Sequence, residues 1–363
     1  MGLVTVAAVQ AAPVFLDRDA TVEKACALVC EAGRADARLV AFPEAFVAGF
    51  PHWIYLDRPQ ANEDFFVELV HEAVEVPSTA TDALGRAARE AGAYVVIGVN
   101  ERSPRSVGEL FNTNLVFSPA GVLLGWHRKL MPTYAEKMIW SFGDGSTLRV
   151  YDTPIGRLGT LCCGENTNPL ARFALIAQGE QIHVANYPAR AAGDAVDLRH
   201  NIQIRSAAHA FEGNCFVVAA GSLISDEMRE RLGDTAEKRK LLGNGSQTFT
   251  GILGPDGKVI AGPAADDTEA IVYGSIDLDS IIRQKIHHDV AGNYNRFDVL
   301  SLALNRTPLT AISELPAALS VESPTLSPSP NSDQPAENRL TARDQPIRGM
   351  SELDNEDDHG ETH

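Results

Sequence analysis

Arg157-Leu-Gly-Thr-Leu-Cys-Cys-Gly-Glu-Asn166 runs as an apolar strand pattern into a tight turn, and an apolar-periodic helix follows over residues 169–179. The strand delivers Cys163 to that turn, with Gly164 next. A cysteine there gains twice from backbone N–H groups near a helix start. They lower a thiol's pKa, and they point toward any oxyanion formed on an attacked carbon. A lone cysteine at a strand end is most often a small buried hydrophobe, but Gly164 and Glu165 are poor core residues and shift the balance toward chemistry. Cys162, one residue earlier, is expected to face the opposite way, toward the core. Cys26, Cys30 and Cys215 sit within apolar patterns and read as structural.

Outward from this turn, strands alternate with helices. Residues 4–10 and 39–42 read as buried strands, separated by a helix over 19–34 with Asp19 as its cap. Helices are predicted over 63–74 and 79–91, then a strand over 93–99. Residues 110–118 and 122–128 flank Pro119-Ala-Gly121 as a hairpin, and 148–152 and 157–162 form another pair around Pro154-Ile-Gly156. A strand over 182–185, a long helix over 197–212 and a strand over 215–220 follow. Residues 247–253 and 259–261 flank the turn Gly254-Pro-Asp-Gly257, and a strand over 271–277 precedes a short helix over 278–285. Hairpins interrupting the alternation imply mixed sheets with helices outside, an α/β fold that is neither a (β/α)₈ barrel nor a simple doubly wound sheet. No G-x-G-x-x-G follows the first strand and no G-x-x-x-x-G-K-[ST] occurs, so nucleotide cofactors lose most of their support.

The chain has 363 residues, 48 acidic and 31 basic side chains, and a formal net charge of −17. That balance argues against a nucleic-acid or anionic-membrane binder. No apolar run approaches the roughly 18–20 residues that span a bilayer, and Met1-Gly-Leu-Val-Thr-Val-Ala-Ala-Val-Gln10 has no basic n-region, so no signal peptide is expected. Five cysteines without a regular framework suit a reducing compartment, and a cytoplasmic location is expected. Residues 311–363 hold eleven acidic and three basic side chains, a net −8 that leaves −9 for residues 1–310. With six prolines and no Phe, Trp or Tyr, this stretch has little apolar surface to offset its ordering entropy. The expected organisation is one catalytic domain over 1–305 and a disordered acidic, Pro/Ser-rich tail over 306–363.

A thiol nucleophile needs a base and a charge stabiliser. His183 falls within a strand and His200 and His209 on a long helix, so nothing favours a Cys–His dyad. Glu44 stands at the end of the buried strand Leu39-Val-Ala-Phe-Pro43, where desolvation raises a carboxyl pKa toward base-competent values. Lys129 ends the strand over 122–129. Carboxyl ends of separate strands commonly converge on one site. Cys162-Cys163 has no second Cys/His pair at ligand spacing, so no metal is expected.

The set Phe42-Pro-Glu44, His127-Arg-Lys-Leu-Met-Pro132 and Cys162-Cys-Gly-Glu-Asn166 resembles the nitrilase superfamily of carbon–nitrogen hydrolases, over four fifths of the chain. Ala48-Gly-Phe-Pro51, Lys129-Leu-Met-Pro-Thr-Tyr-Ala-Glu136, Gly143-Asp-Gly145 and Pro169-Leu-Ala-Arg-Phe-Ala-Leu175 are similar to the nitrilase branch. The resemblance implies a four-layer α-β-β-α sandwich and hydrolysis of an organic nitrile to a carboxylic acid and ammonia, without a cofactor. It makes Cys163 the nucleophile through a thioimidate and a thioester, and Glu44 the general base. Lys129 and the Gly164 N–H become charge stabilisers, and Glu136 a second glutamate that holds Lys129. It also implies a homodimer that extends into larger homo-oligomers or spirals. Trp53, Tyr55, Thr133, Tyr134, Asn186, Tyr187 and Pro188 are candidate substrate contacts. Many nitrilases carry Trp at the position of Gly164 and His at that of Asn166; Gly164 is expected to widen the site. The competing activities are an aliphatic amidase and a cyanide hydratase or dihydratase. A non-catalytic assembly protein is a further alternative, against which the intact Glu44, Lys129 and Cys163 speak.

Overall fold

Strand β1 (Val4–Gln10) enters a six-stranded sheet from the first residues of the chain. It leads to α1 (Arg18–Arg34), β2 (Leu39–Ala41), α2 (Glu63–Glu72), α3 (Thr79–Ala91) and β3 (Tyr94–Arg102). The hairpin strands β4 (Leu110–Phe117) and β5 (Leu123–Arg128) complete this half, followed by β6 (Leu158–Cys162), α4 (Pro169–Ile176), β7 (Ile182–Tyr187) and β8 (Arg190–Ala191). Next come α5 (Leu198–Gly213), β9 (Phe216–Gly221), α6 (Asp226–Leu232), α7 (Ala236–Leu242) and β10 (Ser246–Gln247). The series closes with β11 (Gly251–Leu253), β12 (Val259–Ala261), β13 (Ala270–Ile276) and α8 (Asp279–Lys285). The computed structural model describes residues 2–192 and 194–312. Of the expected disordered tail, 313–363 lies outside them, and 306–312 form neither helix nor strand.

Both large sheets are mixed, as the hairpins imply. The first has the order β13-β1-β2-β3-β4-β5, parallel across β1, β2 and β3 and antiparallel elsewhere. The second has the order β12-β11-β9-β7-β6, parallel across β6, β7 and β9. Alternation along the strands sorts side chains between two cores. Val9, Val40, Val95 and Ile97 meet Val22, Val29 and Leu84 of α1 and α3, while Val6, Leu39 and Val96 meet Leu158, Val184 and Val218 of the facing sheet. On the far side, α5 packs Leu198, Ile202 and Ala210 against Ala185, Val217 and Ala219. The order is helix, sheet, sheet, helix, the expected four-layer sandwich. A one-residue slip in any central strand would exchange its two buried faces, so register is strongly specified.

Local differences have local causes. Asp17, not Asp19, caps α1 by accepting from the Ala20 N–H at 2.8 Å. The expected pairing of 148–152 with 157–162 reduces to one bridge between Tyr151 and Leu158. The predicted strand over 247–253 is divided into β10 and β11, which belong to different sheets. Helices α6 and α7 leave little trace in the sequence pattern, because each has only seven residues and few apolar positions to set a period.

Candidate active site

Three strand ends bring chemistry together. After β2, Phe42 and Pro43 turn the chain so that Glu44 follows, and its backbone crosses close over Gly98 of β3. A Cβ at Gly98 would lie 2.5 Å from both the Pro43 carbonyl and the Ala45 nitrogen, so only glycine admits this path. Lys129 directly follows β5, its N–H donating to the Asn112 carbonyl at 2.8 Å. Cys163 directly follows β6 with φ at +38°, a left-handed conformation that is uncommon outside glycine. Asn166 steadies that turn, its Nδ2 donating to the carbonyls of Leu161 at 3.2 Å and Cys163 at 3.1 Å.

Lys129 Nζ donates to Glu44 Oε1 and to Glu136 Oε2, each at 2.7 Å, and no part of the lysine side chain meets solvent. Asn112 Nδ2 donates to the same Glu44 oxygen at 2.7 Å, and the Thr133 N–H to Glu136 Oε2 at 2.8 Å. Glu44 Oε2 is buried without a hydrogen-bond partner among the described residues. Burial raises the Glu44 carboxyl to about 7; Lys129 opposes and Glu136 reinforces the rise. Burial alone would lower Lys129, but the two carboxylates outweigh it and hold the ammonium well above its ordinary pKa. Cys163 differs from the sequence expectation. Burial first, and Glu44 next, push its thiol far up rather than down. The helix-start N–H groups do not offset this.

Glu165 ties the lysine strand end to the cysteine turn. Its carboxylate accepts from Leu130 N at 2.7 Å, from Cys162 N at 2.8 Å and from His127 Nε2 at 3.0 Å. Behind Asn166, His183 Nε2 lies 2.8 Å from Asn166 Oδ1 and His183 Nδ1 2.8 Å from Glu180 Oε1, while His209 Nε2 lies 2.7 Å from Glu180 Oε2. Glu180, His209 and Cys215 are near enough to share an ion, but both Glu180 oxygens already face histidine nitrogens.

Cys163 borders a cavity of about 720 Å³. Tyr55, Thr133, Tyr134, Gly164 and Pro188 line it, together with Glu136. Three candidate contacts lie elsewhere. Trp53 is buried in the core between Phe15 and Phe65, with ring centroids 6.0 and 5.4 Å away. Asn186 points between the sheets and pairs its amide with that of Asn114. Tyr187 is fully buried in the apolar cluster behind Cys163. Gly164 does line the cavity, but it leaves no simple gap. A Cβ there would sit 2.5 Å from Thr133 Oγ1, so the threonine hydroxyl already occupies the space.

A model of the carbon–nitrogen hydrolase family matches residues 5–286. The chain is 43% identical over 320 residues to Nitrilase 3 from an unknown prokaryotic organism, covering 86% of this chain and 94% of that one. It is 39% identical to an aliphatic nitrilase of Rhodococcus rhodochrous, covering 86% of each. This chain belongs to the nitrilase branch of the carbon–nitrogen hydrolases. Its fold is that of Saccharomyces cerevisiae Nit3, a member of branch 10 of the nitrilase superfamily, with a TM-score of 0.63 at 20% identity over 78% of this chain and 94% of the other. Asn112, which fixes Glu44, carries a signal in the sequence. With Thr113 and Asn114 it forms a polar interruption in the otherwise apolar strand Leu110-Phe-Asn-Thr-Asn-Leu-Val-Phe117, and buried polar residues need partners. His52, Arg190 and Arg205 of the cavity wall carry no such signal.

Proposed function

We propose that this chain hydrolyses an organic nitrile to a carboxylic acid and ammonia, with Cys163 as nucleophile, Glu44 as general base and Lys129 as charge stabiliser. One observation carries the reading. Beside a cavity-facing thiol whose proton is firmly held, a buried carboxylate at about 7 keeps one oxygen unpartnered while an ammonium fixes the other. Glu44 takes the Sγ proton as sulfur attacks the nitrile carbon, and the proton passes to the nitrile nitrogen to give a thioimidate. Water, deprotonated by Glu44, adds to that carbon; the nitrogen leaves as ammonia and a thioester remains. A second water releases the acid and returns the proton to sulfur. Lys129 and the Gly164 N–H bear on the charge that develops on nitrogen or oxygen, and one preorganised donor of this kind is worth about 10²–10³ in rate. Glu136 holds Lys129 in place. If the nitrogen is not protonated when the tetrahedral intermediate collapses, the thiolate leaves instead and an amide forms.

The catalytic unit of this reading is residues 1–305. We infer cytoplasmic action from five free cysteines; among the described residues no helix is long and apolar enough to cross a membrane. Self-association through the outer helices is supported by Leu170, Ile204 and Phe211, exposed on α4 and α5, and light scattering on the purified chain measures it. The activity is tested by ammonia release from nitriles, their matching amides and cyanide, with Cys163→Ala and Cys162→Ser in parallel. A live Cys162 variant, a dead Cys163 variant and a thioimidate or thioester mass on Cys163 are expected. Ammonia from amides alone, or a working Cys163→Ala, overturns the assignment.

A further inference from the structure

Helix α5 turns one stripe toward the cavity: Leu198, Asn201 and Arg205, at spacings of three and four, border the same space as Cys163. Arg205 is only half-exposed, yet among the described residues its guanidinium makes no hydrogen bond and no ion pair, and the Asn201 amide one turn earlier is likewise unpartnered. A shortage of carboxylates does not explain this, since the chain holds 48 acidic side chains against 31 basic. The cavity's other arginine is committed: Arg190 Nε donates to Asp194 Oδ2 at 2.7 Å, and its guanidinium lies 4.8 Å over the Tyr55 ring. Glu136 is bound to Lys129, and His52 is kept neutral by burial and by the nearby arginines Arg190 and Arg229. Arg205 is therefore the one lining charge left uncompensated among the described residues of this wall. It is close enough for its field to reach the Cys163 thiol and the Tyr187 hydroxyl.

Resting on the nitrile reading above, we propose that Arg205, with Asn201 beside it, selects nitriles that carry a carboxylate a few bonds from the cyano group. A planar guanidinium matches a carboxylate with two parallel N–H donors, and a neighbouring amide adds a third. The cyano carbon then sits at Cys163 Sγ while the anionic end faces α5. A half-cleaved dinitrile, which is a cyano acid, is held in the same way, so the site is suited to completing a second hydrolysis.

The test measures kcat/KM by ammonia release from the full chain, for cyano acids with two to four methylenes and for their methyl esters. One or more of the acids is expected to exceed its ester by tenfold or more. Arg205→Gln is expected to cut the acid-to-ester ratio about 10–100-fold, the range of a lost charged hydrogen-bond pair, and Arg205→Lys to restore part of it. An ω-aminonitrile, with the opposite charge, is expected to gain in Arg205→Gln, a result that misfolding cannot produce. Turnover of esters without preference for any acid, or an unchanged ratio in Arg205→Gln, overturns the inference and leaves the nitrile reading standing. If no nitrile of either kind yields ammonia, the functional reading itself fails, and this inference with it.

Discussion

Two buried clusters of ionisable groups sit on either side of the Cys163 turn, and their make-up is reversed. In one, a single ammonium, Lys129, serves two carboxylates, Glu44 and Glu136. In the other, a single carboxylate, Glu180, is held between two imidazoles, His183 and His209, whose rings stack 3.8 Å apart. Burial pushes both Glu44 and Glu180 upward, but the outcomes diverge. Glu44, sharing its cation with a competing anion, rises to about 7, whereas the histidines outweigh burial at Glu180 and carry it down to about 2. The partners of each carboxylate, not burial, thus separate one that can exchange a proton at neutral pH from one that cannot. Only the first cluster reaches the cavity, through Glu136 and Cys163. The second reaches the turn only through Asn166, which joins His183 to the Cys163 carbonyl.

The contrast is broken most severely at Glu44. Glu44→Gln keeps the shape and an acceptor for Lys129 but removes the base, and kcat is expected to fall at least about 10³-fold with the fold retained by circular dichroism. Near-normal turnover would remove Glu44 from the base role and with it the functional meaning of its raised pKa. In the other cluster the same logic predicts loss of stability. His183 faces an acceptor on each side, Glu180 Oε1 and Asn166 Oδ1. His183→Leu leaves a buried carboxylate without one of its two imidazole partners, at about 3 kcal/mol or more in urea unfolding. Because Asn166 then loses its anchor, kcat should fall further than KM changes. A variant as stable as wild type would show that Glu180 is not held as a buried anion.

His209 allows a gentler test. Burial, and then His183, lower its pKa to about 4, and Glu180 only partly opposes them. The folded protein thus keeps this ring neutral while the unfolded chain protonates it near 6.5. Stability from His209 is fully present above about pH 6.5 and is lost as pH falls toward 4, at no more than about 1.4 kcal/mol per pH unit. His209→Gln retains a donor for Glu180 but cannot titrate, so the decline of unfolding free energy across that window should flatten. An unaltered slope would mean that other groups, His52 among them, carry the acid sensitivity.

What could be read from the sequence follows from distance along the chain. The convergence of Glu44, Lys129 and Cys163 was legible because each is a reactive residue at the end of an apolar run, and strand ends in such sheets converge. The mixed sheets were legible from the hairpin turns. Trp53, Asn186 and Tyr187 were misplaced for a shared reason. Each adjoins a motif, but adjacency does not say which face a side chain takes, and all three turn into packed interior. The direction of the Cys163 shift was missed because local N–H groups are visible in sequence, whereas burial and an anion supplied from residue 44 are not. Glu180 read as nothing in particular: it lies in a loop between α4 and β7, and only packing of α5 against the second sheet brings His209 to it.

The smallest expected effect separates burial from the competing Glu136 charge as causes of the raised Glu44 pKa. On the proposed mechanism the free enzyme needs Glu44 as carboxylate, so kcat/KM should rise with pH through about 7. Glu136 contributes to that position by placing a second negative charge on the shared lysine, where it disfavours ionisation of Glu44. Glu136→Gln removes the competing charge and leaves Lys129 wholly to Glu44. Whatever rate the variant keeps, its acid limb should therefore move to lower pH, toward an ordinary carboxylate. A pH–rate profile normalised to each protein's plateau reads this displacement independently of how well the substituted amide positions the lysine. If the limb stays where it is in the wild type, the raised pKa of Glu44 owes nothing to Glu136, and burial alone separates the two clusters. If it moves toward alkaline pH, Glu136 was supporting the Glu44 carboxylate through Lys129 rather than opposing it, and the one-cation, two-anion description of the site is wrong.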